Sequence, residues 1–524
     1  MGRPKEKKEE KIRNLVIVPG DQLNPDSAVF DGFDRDHDAV WMAEVFHEAA
    51  YVWSHRLRIA YFFSAMRHFR DLLRQRDIHV IYQSLTKNQG EDQGNTLADI
   101  LQQSIANLDP EKLIMVQPGD YRVLSDLKRL SRRLNKELEI RHDRLFYLDI
   151  DEFAGYAGEK KKIVLETFYR RMRKAHHILL DTEGRPSGGA WNFDRDNRRA
   201  FGKSGPEHVP EPISFSPDKT TREVIDMVRL RFSRHPGNLD VFTAPVTRED
   251  ALKALDDFTA HRLPLFGTFE DAMWTDHPFL YHSRLSAPLN LKLISPAECV
   301  TAAVDAFESG HAPISSVEGF IRQIIGWREF IRGIYWLHMP GYADMNHLGH
   351  LLDVPSFFWD GNTAMECMRQ TMQSILNHAY THHIQRLMIM GLYALLLGVN
   401  PKRFHEWHMA MYLDAVDWVS LPNTIGMSQY ADGGIVGTKP YCASGNYINK
   451  MSNYCTHCPY DCHLSSGTNA CPFTTLYWDF LDRHYDKFKA NPRLVFQIQA
   501  LMRKRSDKDE MNRIRLQAQR LQKQ

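Results

Sequence analysis

Apolar positions along this chain follow two rhythms. Over the first 150 residues they come in short runs, and beyond about residue 248 they recur at three- and four-residue spacing. Leu15-Val-Ile-Val18 is stopped by Pro19-Gly20-Asp21. Ala39-Val-Trp-Met42, Val80-Ile-Tyr82, Lys112-Leu-Ile-Met-Val116 and Leu138-Glu-Ile140 repeat the pattern. Helical periodicity fills residues 56–74 and 95–107 between them. Strands alternating with helices imply a parallel, doubly wound α/β sheet. Its ligand site belongs at the carboxyl ends of the strands, here Gly20-Asp21-Gln22 and residues 44–51. No Gly-x-Gly-x-x-Gly follows the first strand, which argues against a dinucleotide dehydrogenase.

The stretch from about Thr182 to Pro245 is rich in Pro and Gly, poor in helical signal, and reads as a long connector. From Arg248 the strand signals vanish, and helices are predicted over 296–308, 317–339, 364–397, 402–412 and 474–488. A trailing helix over 503–524, rich in Arg, Lys and Gln, reads as a solvated surface element. The fold class is therefore α/β followed by all-α. Its parts are an α/β domain (1–150), a connector (151–247), a helical domain (248–500) and a charged C-terminal helix (501–524).

Composition narrows the class. The 524 residues exceed what one hydrophobic core serves, and 43% hydrophobic with 25% charged residues describes an ordinary globular protein. The start is charged (Lys5-Glu-Lys-Lys-Glu-Glu-Lys11), and nowhere does the chain approach the ~18 uninterrupted apolar residues of a membrane span. Seven cysteines in so long a chain make no disulfide framework, so a cytoplasmic, monomeric protein with no membrane and no obligate protein partner is expected. The net charge of +1 leaves nucleic acid open.

Four of the cysteines carry chemistry. Cys455-x2-Cys458-x12-Cys471, with Pro after Cys458 and after Cys471, presents thiolates to one inorganic centre, and soft sulfur selects zinc or an iron–sulfur cluster. A fourth thiolate has to come from Cys367, which suits a four-thiolate iron–sulfur site; Cys462, His457 and His463 leave a local zinc site open.

Three further segments occur in order: Gly319-Phe-Ile-Arg-Gln-Ile-Ile-Gly-Trp-Arg-Glu-Phe330, Tyr281-His-Ser-Arg-Leu-Ser286, and His382-His-Ile-Gln-Arg-Leu-Met388 with Asp414 placed 28 residues after Arg386. Together they resemble the photolyase/cryptochrome family: its Trp-Arg-Glu-Phe helix, the Ser/Thr-Leu-Ser loop that holds the flavin diphosphate, and the Arg/Asp pair at the flavin ring. The domain order matches too, and the cysteines narrow the likeness to the iron–sulfur bacterial branch, which includes (6-4) photolyases. The resemblance implies FAD held by Tyr281, Ser283, Leu285, Ser286, Gln323, Trp327, Arg328, Arg332, Arg386, Asp414, Ser420 and Asn423. It implies a [4Fe–4S] cluster on Cys367, Cys455, Cys458 and Cys471, and electron hopping through Trp407 and Trp359. A 6,7-dimethyl-8-ribityllumazine antenna would sit against Gly20, Asp21, Gln22, Glu48 and Tyr51.

Several positions depart from the family or decide within it. A His occupies the place of His383 in the eukaryotic (6-4) enzymes, whereas their second His is Leu387 here, which leaves His382 as the local candidate for the second proton-handling role. Histidine titrates near neutrality and is the natural acid for a repair that moves a proton to a base hydroxyl. Cyclobutane-dimer enzymes carry a Glu three residues before the Trp of Trp-Arg-Glu; Ile324 stands there, against cyclobutane repair. Ser420 replaces the Asn often found beside the flavin. Lys160-Lys-Lys162 and Arg170-Arg-Met-Arg-Lys174 are the best basic clusters for DNA phosphates. The expectation is light-driven repair of (6-4) photoproducts in UV-damaged DNA; a blue-light photoreceptor without repair and a metal-stabilised nucleic-acid-binding protein are the alternatives.

Overall fold

The computed structural model describes residues 12–158, 160 and 162–523. Five parallel strands, β1 (Asn14–Ile17), β2 (Ala39–Ala43), β3 (Val80–Gln83), β4 (Lys112–Val116) and β5 (Glu137–Arg141), form one sheet in the order β3-β2-β1-β4-β5. The order reverses between β1 and β4, and a doubly wound sheet opens its crevice at that point, beyond the strand carboxyl ends. Leu15, Ile17, Trp41 and Leu113 bury one face of the sheet against Ile100, Leu101 and Leu127. Val16, Val40, Met42 and Ile114 bury the other in a core that continues through Phe153 and Phe168 to Ile331 and Trp418. One apolar core thus crosses the expected domain boundaries. A second core, around Phe358, Met372, Trp407, Phe473 and Ile514, serves the C-terminal helices.

The connector is more ordered than its composition suggests. Within the segment expected to lack helix, Asp218 caps the helix Lys219–Arg231 by accepting from the Thr221 N–H. Val224, Ile225, Met227 and Val228 are buried there, in the core that also takes in Phe63, Met66 and Phe69 of the helix Arg56–Gln75. The helix expected over 364–397 is broken. Glu366–His378 ends where Ala379 takes a left-handed φ of 48°, and a new helix starts at His383. The C-terminal tail is not simply a solvated element. Met511, Ile514 and Ala518 form a buried stripe on the helix Lys508–Leu521, and Glu510 accepts from Ser465 and Ser466 in the cysteine loop at 2.6 and 2.8 Å. Both Lys161 and the charged start 5–11 lie outside the described residues. No helix among the described residues is long and apolar enough to cross a membrane.

Candidate functional site

Two clefts meet around residues 414–417, and a cavity lined by four thiols lies in the C-terminal core. The first cleft has two lobes of about 550 and 590 Å³ that share Ser286 and Asp414. The helices lining it depart from α geometry at one place each: Arg322–Arg328, Arg386–Gly391 and Pro422–Ser428 are π-helical turns. Such turns swing successive side chains to one side and recur at functional sites. Arg328, Arg386 and Asn423, all carried on them, line the second lobe.

Arg386 is the fixed charge of this cleft. Its Nη1 donates to Asp414 Oδ1 at 3.0 Å, its Nε donates to the Thr381 carbonyl at 2.9 Å, and its guanidinium lies 4.0 Å over the Tyr412 ring. Burial pushes the Asp414 carboxyl up, but Arg386 and a hydrogen bond from Ser286 outweigh it and hold the group below its ordinary value. Asn290 donates to the Asp414 carbonyl at 2.6 Å and accepts from Arg328 Nη1 at 2.5 Å. Burial lowers the Arg328 guanidinium to about 10. In the other lobe Ser283 and Ser286 face Arg262 and Arg284. Arg262 pairs with Asp257 at 2.7 Å, whereas Arg284 lies 4.0 Å over Phe279 with no carboxylate partner among the described residues. A two-lobed cleft with a spare cation at its hydroxyl-lined end has the donor set for a flavin dinucleotide.

His383 opens onto the second lobe, where its ring is solvent-accessible. The surrounding wall desolvates it and Arg386 repels its charged form, which lowers it to about 4. His382 does not reach the cleft. It is buried with its ring stacked on His282, 4.3 Å between centroids and 10° between planes, and neither of its nitrogens has a hydrogen-bond partner among the described residues.

The second cleft, of about 810 Å³, lies beyond the carboxyl ends of β1, β2 and β4 and is closed by Ala415, Val416 and Asp417. Glu48 and Arg122 form a two-pronged ion pair at 2.8 and 2.6 Å, with Arg122 packed 4.6 Å over the Tyr51 ring. Burial, then Asp417, pushes Asp120 up to about 7. Burial raises Asp21 as well, with Lys292 opposing. Asp21 accepts from the Gly119 N–H at 2.7 Å, and a side chain at Gly119 would collide with that carboxylate at 2.5 Å.

Cys367, Cys455, Cys458 and Cys471 line one small cavity of about 310 Å³. Cys367 sits in the first turn of the helix Glu366–His378 and Cys471 at the N-cap position of the helix Pro472–Arg483; burial pushes both thiols up, against the helix dipole. Gly445 admits the sulfur of Cys471 to 2.9 Å of where a Cβ would stand. Beside this cavity Asp461, Cys462 and His463 bring one ligand atom each within 4.8 Å of one another, which keeps a local zinc site on Cys462 and His463 open, whereas the four cavity thiols form no such trio. Four thiols around one cavity have the donor type for zinc or an iron–sulfur cluster.

Comparison with known proteins agrees with this arrangement. The family described as deoxyribodipyrimidine photo-lyase-related protein matches residues 16–243. A (6-4) photolyase from Agrobacterium fabrum is 45% identical over 485 residues, 92% of this chain and 94% of that protein. The chain belongs to the photolyase/cryptochrome family. A bacterial class III photolyase from Agrobacterium tumefaciens shares the fold with a TM-score of 0.54 at 14% identity, covering 86% of this chain and 88% of that one. A Synechocystis cryptochrome does so with a TM-score of 0.52 at 13% identity, covering 85% and 89%.

Among photolyase-type residues expected from the sequence, the structure gathers Ser283, Ser286, Arg328, Arg386, Asp414, Ser420, Asn423 and His383 on the two-lobed cleft. Others stand behind it. Trp327 donates to Asn423 Oδ1 at 2.9 Å and so positions a lining residue. Tyr281 stacks on Phe269 and donates to the His208 carbonyl, and Leu285 is core. Gln323 is exposed, donates to the Gly319 carbonyl at 3.4 Å and lines neither lobe. Arg332 bonds the Leu148 carbonyl and covers Phe146 at the domain seam. Gly20, Asp21, Glu48 and Tyr51 line the sheet-end cleft, whereas Gln22 lies behind it, bonded to Asp21, the Gln117 carbonyl and Lys292. Of the basic clusters, Arg173 is wholly buried, its guanidinium spent on the carbonyls of Ile178, Leu179 and Trp191. Arg170 pairs with Glu166.

Sequence reasoning missed Arg284, His408, Tyr380 and the connector residues Pro212 and Ala244, which also line the two-lobed cleft. It missed Arg58, Asp120 and Asp417 at the sheet end. Arg284, inside the quoted Tyr281–Ser286 motif, was the one with a local signal. Trp407 is buried and stacks at 5.7 Å on Phe404, which lines the cleft, while its indole N–H donates to the Phe358 carbonyl. Trp359, next in sequence, meets the half-exposed Trp53 at 5.1 Å.

Proposed function

We propose that this chain is a light-driven (6-4) photolyase. It binds FAD in the two-lobed cleft, a [4Fe–4S] cluster on Cys367, Cys455, Cys458 and Cys471, and a lumazine antenna in the sheet-end cleft. Its substrate is UV-damaged DNA carrying a (6-4) pyrimidine–pyrimidone photoproduct. The observation that carries the reading is the placement of His383 at the cleft mouth, on the turn that also holds Arg386. The (6-4) photolyase relative at 45% identity supports it.

When bound, the flavin supplies one-electron, light-driven chemistry. The protein's own groups do the rest. Arg386, held on Asp414 and the Thr381 carbonyl, keeps a positive charge beside the ring, and Arg284 with Ser283 and Ser286 takes the diphosphate. His383 holds the proton for the hydroxyl of the flipped base. A polyanionic strand docking over this histidine favours its charged form, because a nearby negative charge stabilises the imidazolium. Ile324 is buried and offers no carboxylate, so cyclobutane dimers lack their partner. Trp407 and Trp359 carry the electron that recharges the cofactor, and the thiol centre ties residues 455–471 to the helix at Cys367, closing a long loop.

The deciding experiment incubates reduced protein with an oligonucleotide bearing one defined lesion, illuminates it, and follows products by chromatography. Restoration of the (6-4) lesion but not the cyclobutane dimer is expected. An intact (6-4) lesion would hand the protein to the photoreceptor reading, and zinc without iron or sulfide in anaerobically prepared protein would overturn the cluster.

A further inference from the structure

A third cleft, of about 620 Å³, belongs to none of these sites. One wall is a single face of the helix Glu366–His378, with Gln370, Gln373, Ser374, Asn377 and His378 at helical spacing. The loop that begins at Trp274 forms the other wall, and Gln385 and Tyr454 form the floor. Gln385 is 3% exposed; one end of its amide bonds Tyr454 Oη at 3.2 Å and the other end has no partner among the described residues. The side chains of Gln373 and Asn377 likewise make no hydrogen bond among the described residues.

The lining selects a class of ligand. No Lys or Arg faces the cleft, whereas Asp276 does beside His277, so phosphate is not what it holds. The Gln373 and Asn377 amides and the Gln385 carbonyl oxygen are open in one volume, beside the rings of Trp274, His378 and Tyr454, while Gln370 donates to Glu366 at 3.0 Å. Amide pairs read base edges, and aromatic faces stack on unpaired bases. Position adds a second constraint. His383 lines the two-lobed cleft and Gln385, two residues on, lines this one, so a single helix about 10 Å across separates them. That distance is a few nucleotides of a DNA strand at about 3.4 Å per stacked step.

We propose that this cleft takes an unpaired nucleobase of the DNA substrate while the lesion occupies the flavin cleft. The proposal rests on the repair reading. The base is either a neighbour of the lesion on its own strand or the partner left unpaired opposite it. Holding it offsets part of the cost of opening the duplex and keeps the lesion extruded.

The test uses the complete protein with its cofactors and the double variant Gln373→Ala/Asn377→Ala, whose side chains are surface-accessible. Its FAD absorbance and iron content should match the wild type. Affinity for a duplex with one (6-4) lesion, read by fluorescence anisotropy, should fall about tenfold, the scale of one lost amide–base pairing. Duplexes with an abasic site beside the lesion or opposite it identify the source, because the variant and the wild type should bind alike once the contacted base is gone. Equal affinity of variant and wild type for lesion duplex and for single-stranded DNA overturns the proposal. So does a loss that persists at every abasic position, since the contact would then be to the backbone. Should the wild type bind lesion and intact duplex alike, the repair reading falls by itself; a single-strand affinity still weakened by the variant would keep the cleft.

Discussion

The two-lobed cleft and the sheet-end cleft share one segment and have opposite electrostatics. Asp414 faces the two-lobed cleft and Asp417, three residues on, faces the sheet-end cleft. The first is built from histidines and arginines. The second gathers Asp21, Glu48, Asp120 and Asp417 around Arg58 and Arg122. Burial acts on both sets, yet it lowers His383 to about 4 and raises Asp120 to about 7. One physical cause, the cost of charge in a poorly solvated wall, gives opposite shifts because one group is charged when protonated and the other when deprotonated. The two-lobed cleft thus favours negative charge, and the sheet-end cleft favours a protonated carboxyl.

Four substitutions break or sharpen that contrast. The largest effect is expected from His383→Ala: (6-4) repair should drop about 100-fold or more, the usual weight of a positioned acid. Flavin and antenna absorbance should stay unchanged, since neither cofactor rests on that ring. Normal repair by this variant would move the proton source elsewhere. Glu48→Ala leaves Arg122 on Asp120, its remaining carboxylate partner at 3.1 Å, and should weaken lumazine binding about 10-fold. Repair under direct flavin excitation should persist, and a loss of repair here would mean the clefts are not independent. Trp407→Phe should slow blue-light reduction of bound FAD several-fold with a thiol donor present, leaving the antenna spectrum unchanged. An unaltered rate would send the electron along another aromatic path.

The smallest effect is thermal. The folded-state value of Asp120, about 7, exceeds that of a free carboxyl near 4, so the folded protein retains a proton that the unfolded chain releases. Its contribution to stability is full below pH 4 and declines as pH rises to 7. Asp120→Asn removes that decline and should leave the melting temperature higher than wild type by about 1–2 °C at pH 8, with the gap closing toward pH 4. A gap that stays constant across this range would assign the effect to capping of the following helix, where Asp120 accepts from the Arg122 N–H.

The chain's local patterns determined the sheet, its strand-end crevice, the helical second half and the four thiols. Each depends on periodicity or spacing within a few tens of residues, and Asp21, Glu48, Ser286, Arg386 and Asp414 fell within such motifs. Tertiary structure alone decided the rest. Nothing in the sequence near Gln323 announces a π turn, because its extra residue per turn is stabilised by side chains packed from other elements. Composition marked 182–245 as loose chain, yet Val224 and Val228 are buried against a helix more than 150 residues earlier. The pairing of Trp53 with Trp359, the orphaned stack of His282 on His382, and the amide-lined cleft at Gln385 join segments distant in sequence. Such contacts exist only once the shared core has brought those segments together, and so no local reading of either segment contains them.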